Sequence, residues 1–147
     1  MRGGARRRLR LEVSVHAHAT EDEGLILRSL EDALGISGDE LTISRVSGSH
    51  GNPVTIIRAE LSGERALEVL RGALRRMDPS ERIALGRAVG DLMDDRGRIY
   101  LRLDKQSLVL GEVRIGREDP VRLVLSSSAG GRDAAELLEE ALREAGG

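Results

Sequence analysis

Apolar and polar residues alternate strictly along the first ordered stretch of the chain. Leu9, Leu11, Val13, Val15, Ala17 and Ala19 fall on one side, and Arg10, Glu12, Ser14, His16, His18 and Thr20 on the other. A period of two puts successive side chains on opposite faces of a strand, so residues 9–20 predict a long strand with one buried face. The period then changes. Thr20-Glu21-Asp22-Glu23 reads as a capping box, with Thr20 as N-cap and Glu23 at N3. Leu27, Leu30, Ala33 and Leu34 follow at helical spacing, and Gly35 ends the helix. Residues 41–46 and 54–61 predict two strands joined by the glycine-rich loop Gly48-Ser49-His50-Gly51-Asn52-Pro53.

Two helices come next. Ser62 caps one that carries Leu67, Leu70, Leu74 and Met77. Asp78-Pro79-Ser80-Glu81 opens the other, with Leu85, Ala88, Val89 and Leu92 on one face. Asp94-Asp95-Arg96-Gly97 turns the chain into a strand with Ile99, Leu101 and Leu103 inside and Arg98, Tyr100 and Arg102 outside. Asp104 is placed to cap a short helical segment, although Ser107-Leu108-Val109-Leu110 also fits a strand. Val113-Arg114-Ile115 and residues 121–125 predict further strands, and residues of about 132–144 a last helix.

The resulting order of elements does not alternate as a doubly wound parallel sheet requires. It predicts an α+β fold: a mostly antiparallel or mixed sheet with helices packed on one face. The other face is then open and displays His16, His18, Arg98, Tyr100, Arg102 and Arg122. A single domain is expected over residues 9–145, preceded by a flexible basic arm over residues 1–8.

Composition narrows the chemistry. The chain has 147 residues, enough for one domain with a real core, with 39% hydrophobic and 33% charged residues. Tyr100 is the only aromatic residue, so aromatic platforms for base stacking are nearly lacking. The absence of cysteine excludes disulfides, zinc ribbons and thiol catalysis. No apolar run reaches membrane-spanning length, and Met1 to Arg8 lacks the apolar stretch of a signal peptide, so a cytoplasmic protein is expected. The net charge of −2 hides an asymmetry: residues 1–20 hold five arginines against one glutamate. A basic arm on a mildly acidic body suits nucleic-acid contact through the arm.

Lys105 is the only lysine among 23 basic residues. A compact ammonium differs from the planar fork of Arg, and a position that keeps it suits a point contact such as a phosphate. The competing account is chance survival of one surface lysine. Three imidazoles, His16, His18 and His50, would suffice for zinc, but two-apart spacing is what any polar strand face gives. The glycine-rich loop offers backbone N–H groups to an anion without being a P-loop. Neither a nucleophile elbow nor a metalloprotease helix motif is present.

Three segments taken together resemble one family. They are His18-Ala19-Thr20-Glu21-Asp22, His50-Gly51-Asn52-Pro53, and Tyr100 to Gln106 with Leu110-Gly111 behind. In that order and spacing, over roughly residues 10–143, they resemble the small archaeal RNA-binding proteins described as predicted exosome subunits. The resemblance implies a fold similar to that of the ribosomal protein that binds 5S RNA, and RNA binding without an established catalytic reaction; no cofactor is expected. The family often carries an aromatic residue where this chain has His50, so stacking there falls to an imidazole.

These readings combine into an expectation. A non-enzymatic RNA-binding module uses His18, His50, Asn52, Arg102, Lys105 and Gln106 at one end of the sheet. Arg102 and Lys105 meet phosphates, Asn52 and Gln106 meet bases or ribose, and Arg6, Arg7 and Arg8 add an electrostatic grip. RNA is the expected partner, with the archaeal exosome or ribosome as its setting. The alternatives are a protein-interaction subunit of such an assembly and, behind it, an RNA-metabolism enzyme with His18, Asp22 and Lys105 in one closed pocket.

Overall fold

A computed structural model describes residues 8–146. Five strands form one sheet: β1 (Leu9–His18), β2 (Leu41–Ser47), β3 (Pro53–Ser62), β4 (Ile99–Leu103) and β5 (Val121–Ser127). Their order is β2-β3-β1-β5-β4, and every neighbouring pair is antiparallel. Five helices accompany them: α1 (Glu23–Leu34), α2 (Gly63–Arg76), α3 (Pro79–Leu92), α4 (Lys105–Val109) and α5 (Asp133–Gly146). The fold is α+β, as the order of elements predicts.

The alternation in β1 does what one buried face requires. Leu9, Leu11, Val13, Val15 and Ala17 are buried, and Arg10, Glu12, His16 and His18 are exposed. The same face of β3, β4 and β5 supplies Ile57, Ala59, Leu61, Ile99, Leu101, Leu103, Val121, Leu123 and Leu125 to the core. Amphipathic stripes close over it from α1 (Ile26, Leu30, Ala33, Leu34), α2 (Leu67, Leu70, Leu74) and α5 (Ala134, Leu138, Ala141). At about 25 cal/mol per Å² of apolar area, this face supplies most of the driving force for folding. The other sheet face stays open.

Several local expectations are corrected. β1 ends at His18, two residues short of the predicted end, because the Glu21 N–H donates to the His18 carbonyl at 2.9 Å and turns the chain. The N-cap of α1 is therefore Asp22, whose carboxylate accepts from the Leu25 N–H at 3.2 Å, and not Thr20. Glu81 closes no capping box with Asp78: its Oε1 accepts from the Ile115 N–H at 3.2 Å. Residues 113–115 form no strand; Ile115 makes one isolated bridge to Leu103. The ambiguous segment after Asp104 is helical over Lys105–Val109, since the Asp104 carboxylate accepts from both the N–H (2.9 Å) and the hydroxyl (2.6 Å) of Ser107. Among the residues expected in the basic arm, Arg6 and Arg7 lie outside the described residues. Arg8 is no free arm residue: its guanidinium donates twice to Asp133, at 3.0 and 3.1 Å, and fixes the entry of β1 to α5.

A second clamp ties the segment after α1 to α2. Arg65 donates to both oxygens of Glu40, at 2.8 and 2.6 Å, and to the Gly35 carbonyl. The Arg65 hydrogen bonds, opposed by burial and helped by Ser37, lower the Glu40 carboxyl to about 2. A carboxyl depressed in the folded state stabilises it above the ordinary carboxylate range, and that contribution fades as pH falls towards the folded value. Glu40→Gln should thus cost about 2 kcal/mol at neutral pH. In urea unfolding at stepped pH, the gap between variant and wild type should close as pH falls from about 5 to about 2.

Candidate RNA interface

Strand register brings the predicted residues to one end of the sheet. β1 and β4 finish there with His18 and Leu103, β5 starts there with Val121, and the β2–β3 hairpin turns there, since His18 pairs with Val54 and Leu103 with Val121. That end therefore collects His18, His50, Asn52, Lys105 and Gln106, with Arg102 close behind. In the hairpin the Gly48 N–H donates to the Asn52 carbonyl at 2.6 Å. His50 and Gly51 both take left-handed backbones, φ 64° and 78°. That conformation is uncommon for any residue but glycine and is kept where the surroundings enforce it. His50, Asn52 and Gln106 are exposed.

Lys105 is different. It is only 4% exposed, and each N–H of its ammonium has a protein acceptor: the His16 carbonyl at 2.8 Å, Glu21 Oε1 at 2.9 Å and Asp119 Oδ2 at 2.5 Å. The expected phosphate contact needs an exposed ammonium with a donor to spare, and this geometry supplies neither. The same acceptors bind the surrounding turn: Glu21 Oε1 takes the His18 N–H at 2.9 Å, and Asp119 Oδ2 meets His18 Nε2 at 3.1 Å. Asp119 sits at φ 44°, a strained backbone that these contacts hold in place. Burial pushes the Asp119 carboxyl up, but the bonds from Lys105 and His18 outweigh it and leave the group below its ordinary value.

The three imidazoles do not gather. Metal-ligating atoms that come within 4.8 Å of one another belong instead to His18, Glu21 and Asp119. The Lys105 ammonium already bonds both carboxylates, so a protein cation fills the role that a metal would take. Among the described residues, His18 does not join Asp22 and Lys105 in the cleft they share. This shallow cleft of about 240 Å³ touches Asp22, Lys105 and Gln106, while His18 turns away to Asp119 and the Asp22 carboxylate caps α1.

The open sheet face holds a feature that the sequence did not disclose. Cross-strand partners share a face, and the register aligns Arg102 with Arg122, Arg122 with Ser14, Ser14 with Arg58, and Arg58 with Thr42. Three arginines thus lie in one row across four strands, a span of roughly 14 Å at about 4.8 Å per strand. All three are exposed, and among the described residues no ion pair engages them. Arg102 and Arg122 stand directly opposite each other, an arrangement of like charges that costs stability. His16 and His18 occupy the same face between this row and the end of the sheet, and Glu12 and Glu60 lie on the row behind. Arg98, by contrast, is tied to Asp94 at 2.8 Å.

A family model described as RNA binding matches residues 10–127. The chain belongs to this RNA-binding family. It is 31% identical over 119 residues to RNA-binding protein PAB1135 of Pyrococcus abyssi, covering 76% of this chain and 75% of that protein. It is 28% identical over 124 residues to uncharacterized protein MJ0213 of Methanocaldococcus jannaschii, with 79% and 82% covered. Among solved structures, the DUF54 protein Mth689 of Methanothermobacter thermautotrophicus superposes with a TM-score of 0.68 at 26% identity, over 92% of this chain and 96% of that one. Protein SSO0741 of Sulfolobus solfataricus gives 0.75 at 20% identity, over 92% and 98%, and so shares the fold.

Sequence reasoning missed Glu21 and Asp119 as partners of Lys105, and Arg58 as a member of the row. The signal for Arg58 was its polar place between buried Ile57 and Ala59, but the row exists only once the register is known. For Lys105, replacement by Met should cost roughly 3 kcal/mol, because two carboxylates and a carbonyl lose their counter-donor. Lys105→Arg should also destabilise, by about 1–3 kcal/mol, since the planar fork overfills a site shaped for an ammonium. Urea denaturation of both variants at neutral pH measures this; an unchanged midpoint for Lys105→Met would remove the ammonium from the stabilising set.

Proposed function

We propose that the protein binds structured RNA through its open sheet face, with Arg102, Arg122 and Arg58 on successive phosphates. The observation that carries this reading is the row itself: three exposed, unpaired guanidinium groups in register, two of them opposed at a cost that an anion would repay. Membership of an RNA-binding family and likeness to an archaeal RNA-binding protein support it. His16 and His18 extend the face towards the end of the sheet. His50, Asn52 and Gln106 stand at its rim, where an imidazole and two amides can meet bases or ribose. Arg6 and Arg7 add a sequence-independent grip.

Lys105 takes part indirectly. It holds the turn after β1 and the entry to β5, from which His18 and Arg122 project. The module acts without catalysis or cofactor in this reading. The resemblance to predicted exosome subunits directs the search for its target to RNA-processing and ribosomal RNAs, in the cytoplasm. No helix among the described residues is long and apolar enough to cross a membrane.

Binding to structured archaeal RNA should weaken with salt. Arg102→Ala and Arg122→Ala should each lower the slope of log K against log salt by about one, because each removes one phosphate contact. Lys105→Met should change stability far more than it changes that slope. No detectable binding at low ionic strength, or slopes unaltered in both arginine variants, would overturn the reading.

A further inference from the structure

A cleft of about 620 Å³ runs along the outer edge of β4, under α3, at the end of the arginine row. Its walls are mainly apolar, with Ala84, Leu85 and Ala88 from α3, and it is also lined by Tyr100, Arg102 and Glu81. β4 is an edge strand, yet most of its edge is already occupied. At one end the Arg98 carbonyl accepts from the Asp94 N–H at 2.9 Å, and Met93 bridges to Ile99. At the other end the Arg102 carbonyl accepts from the Gly116 N–H at 2.9 Å and the Asp104 N–H donates to the Arg114 carbonyl at 2.8 Å. Gly116 lies so close to the Asp104 backbone that a Cβ there would stand 2.7 Å from its Cα.

Antiparallel alternation fixes what remains between these two seals. Since the Arg98 and Arg102 carbonyls point away from β5, so do the Tyr100 carbonyl and the Arg102 N–H. No hydrogen bond among the described residues takes up either group. The cleft thus presents one acceptor and one donor, two residues apart on one strand edge, flanked by apolar walls. A partner strand needs a longer run of free edge, and the two seals deny it. A flat heterocycle with one donor and one acceptor side by side fits.

Glu81 adds a further acceptor. Its Oε1 is held by the Ile115 N–H, while Oε2 is shielded from water and has no hydrogen-bond partner. An unmet buried acceptor is costly, and the terminal torsion of a glutamate is soft enough to turn an oxygen towards an entering donor. Arg102 belongs both to the cleft and to the phosphate row, so a strand lying on the row brings a base to the cleft mouth.

We propose that this cleft receives one unpaired nucleobase carrying an exocyclic amino group, adenine being the model case. Its ring nitrogen accepts from the Arg102 N–H; its amino group donates to the Tyr100 carbonyl and to Glu81. The inference rests on the RNA reading above and adds to it a site for base selection. Uracil has no amino group to share between the two acceptors.

The test uses the full chain and hairpin RNAs that differ at one position: a single unpaired adenine, a single unpaired uracil, or none. Wild type should bind the adenine bulge at least tenfold more tightly than the fully paired stem, with uracil between them. Ala84→Trp, at an exposed position that fills the cleft, should erase the adenine advantage and leave binding to the paired stem unchanged; Ala88→Trp provides a second filled cleft. Glu81→Gln should narrow the gap between adenine and uracil. Equal binding of all three hairpins by wild type, or an adenine advantage that survives both tryptophan variants, overturns the base site while leaving the phosphate row intact. Failure of wild type to bind any of the hairpins overturns the RNA reading and the base site with it.

Discussion

The end of the sheet that carries the candidate interface depends on one buried ammonium. Three acceptors from three parts of the chain converge on Lys105: the His16 carbonyl near the end of β1, Glu21 in the loop leading into α1, and Asp119 two residues before β5 starts. Each is a charged or carbonyl oxygen that would be costly to leave without a donor. The net value of a buried ion pair is modest, since desolvation offsets attraction, but removing one partner is expensive. Such a cluster therefore acts more as a constraint on geometry than as a source of stability. It explains why a chain so biased to arginine keeps a lysine here: a compact ammonium with three rotatable donors fits a three-acceptor site that a planar fork does not.

With that corner fixed, the sheet register delivers the arginine row. Helices cover one face of the sheet and leave the other to polar residues, so β1, β3, β4 and β5 place Ser14, Arg58, Arg102 and Arg122 side by side. The body of the protein carries a net negative charge, which restrains indiscriminate binding to polyanions. Other arginines are spent inside the fold. Arg8 clamps Asp133, Arg65 clamps Glu40, and Arg98 is held by Asp94. These engaged arginines serve the scaffold, whereas the three of the sheet row carry no ion pair among the described residues.

Strands and helices were largely legible along the chain because burial of one face imposes a period of two or of about 3.6. The Asp104 cap was legible too, since its carboxylate acts within three residues. What stayed hidden depends on distance along the chain. Glu21 lies 84 residues from Lys105, and no local pattern pairs them. Arg8 looked like part of a free arm because its partner Asp133 lies 125 residues away. The early helix start was misplaced for a subtler reason: Thr20 and Asp22 are both good N-caps, and the Glu21–His18 turn decides between them. Arg122 was visible as an exposed strand residue, but only pairing reveals that it faces Arg102.

Residue-by-residue protection of arginines from a guanidinium-modifying reagent, with and without bound structured RNA, tests the central claim most directly. The account predicts that RNA shields Arg58, Arg102 and Arg122 together, while Arg28, Arg75 and Arg87, exposed on the helices, react as before. Shielding of the helix-borne arginines with the sheet row left reactive would contradict it.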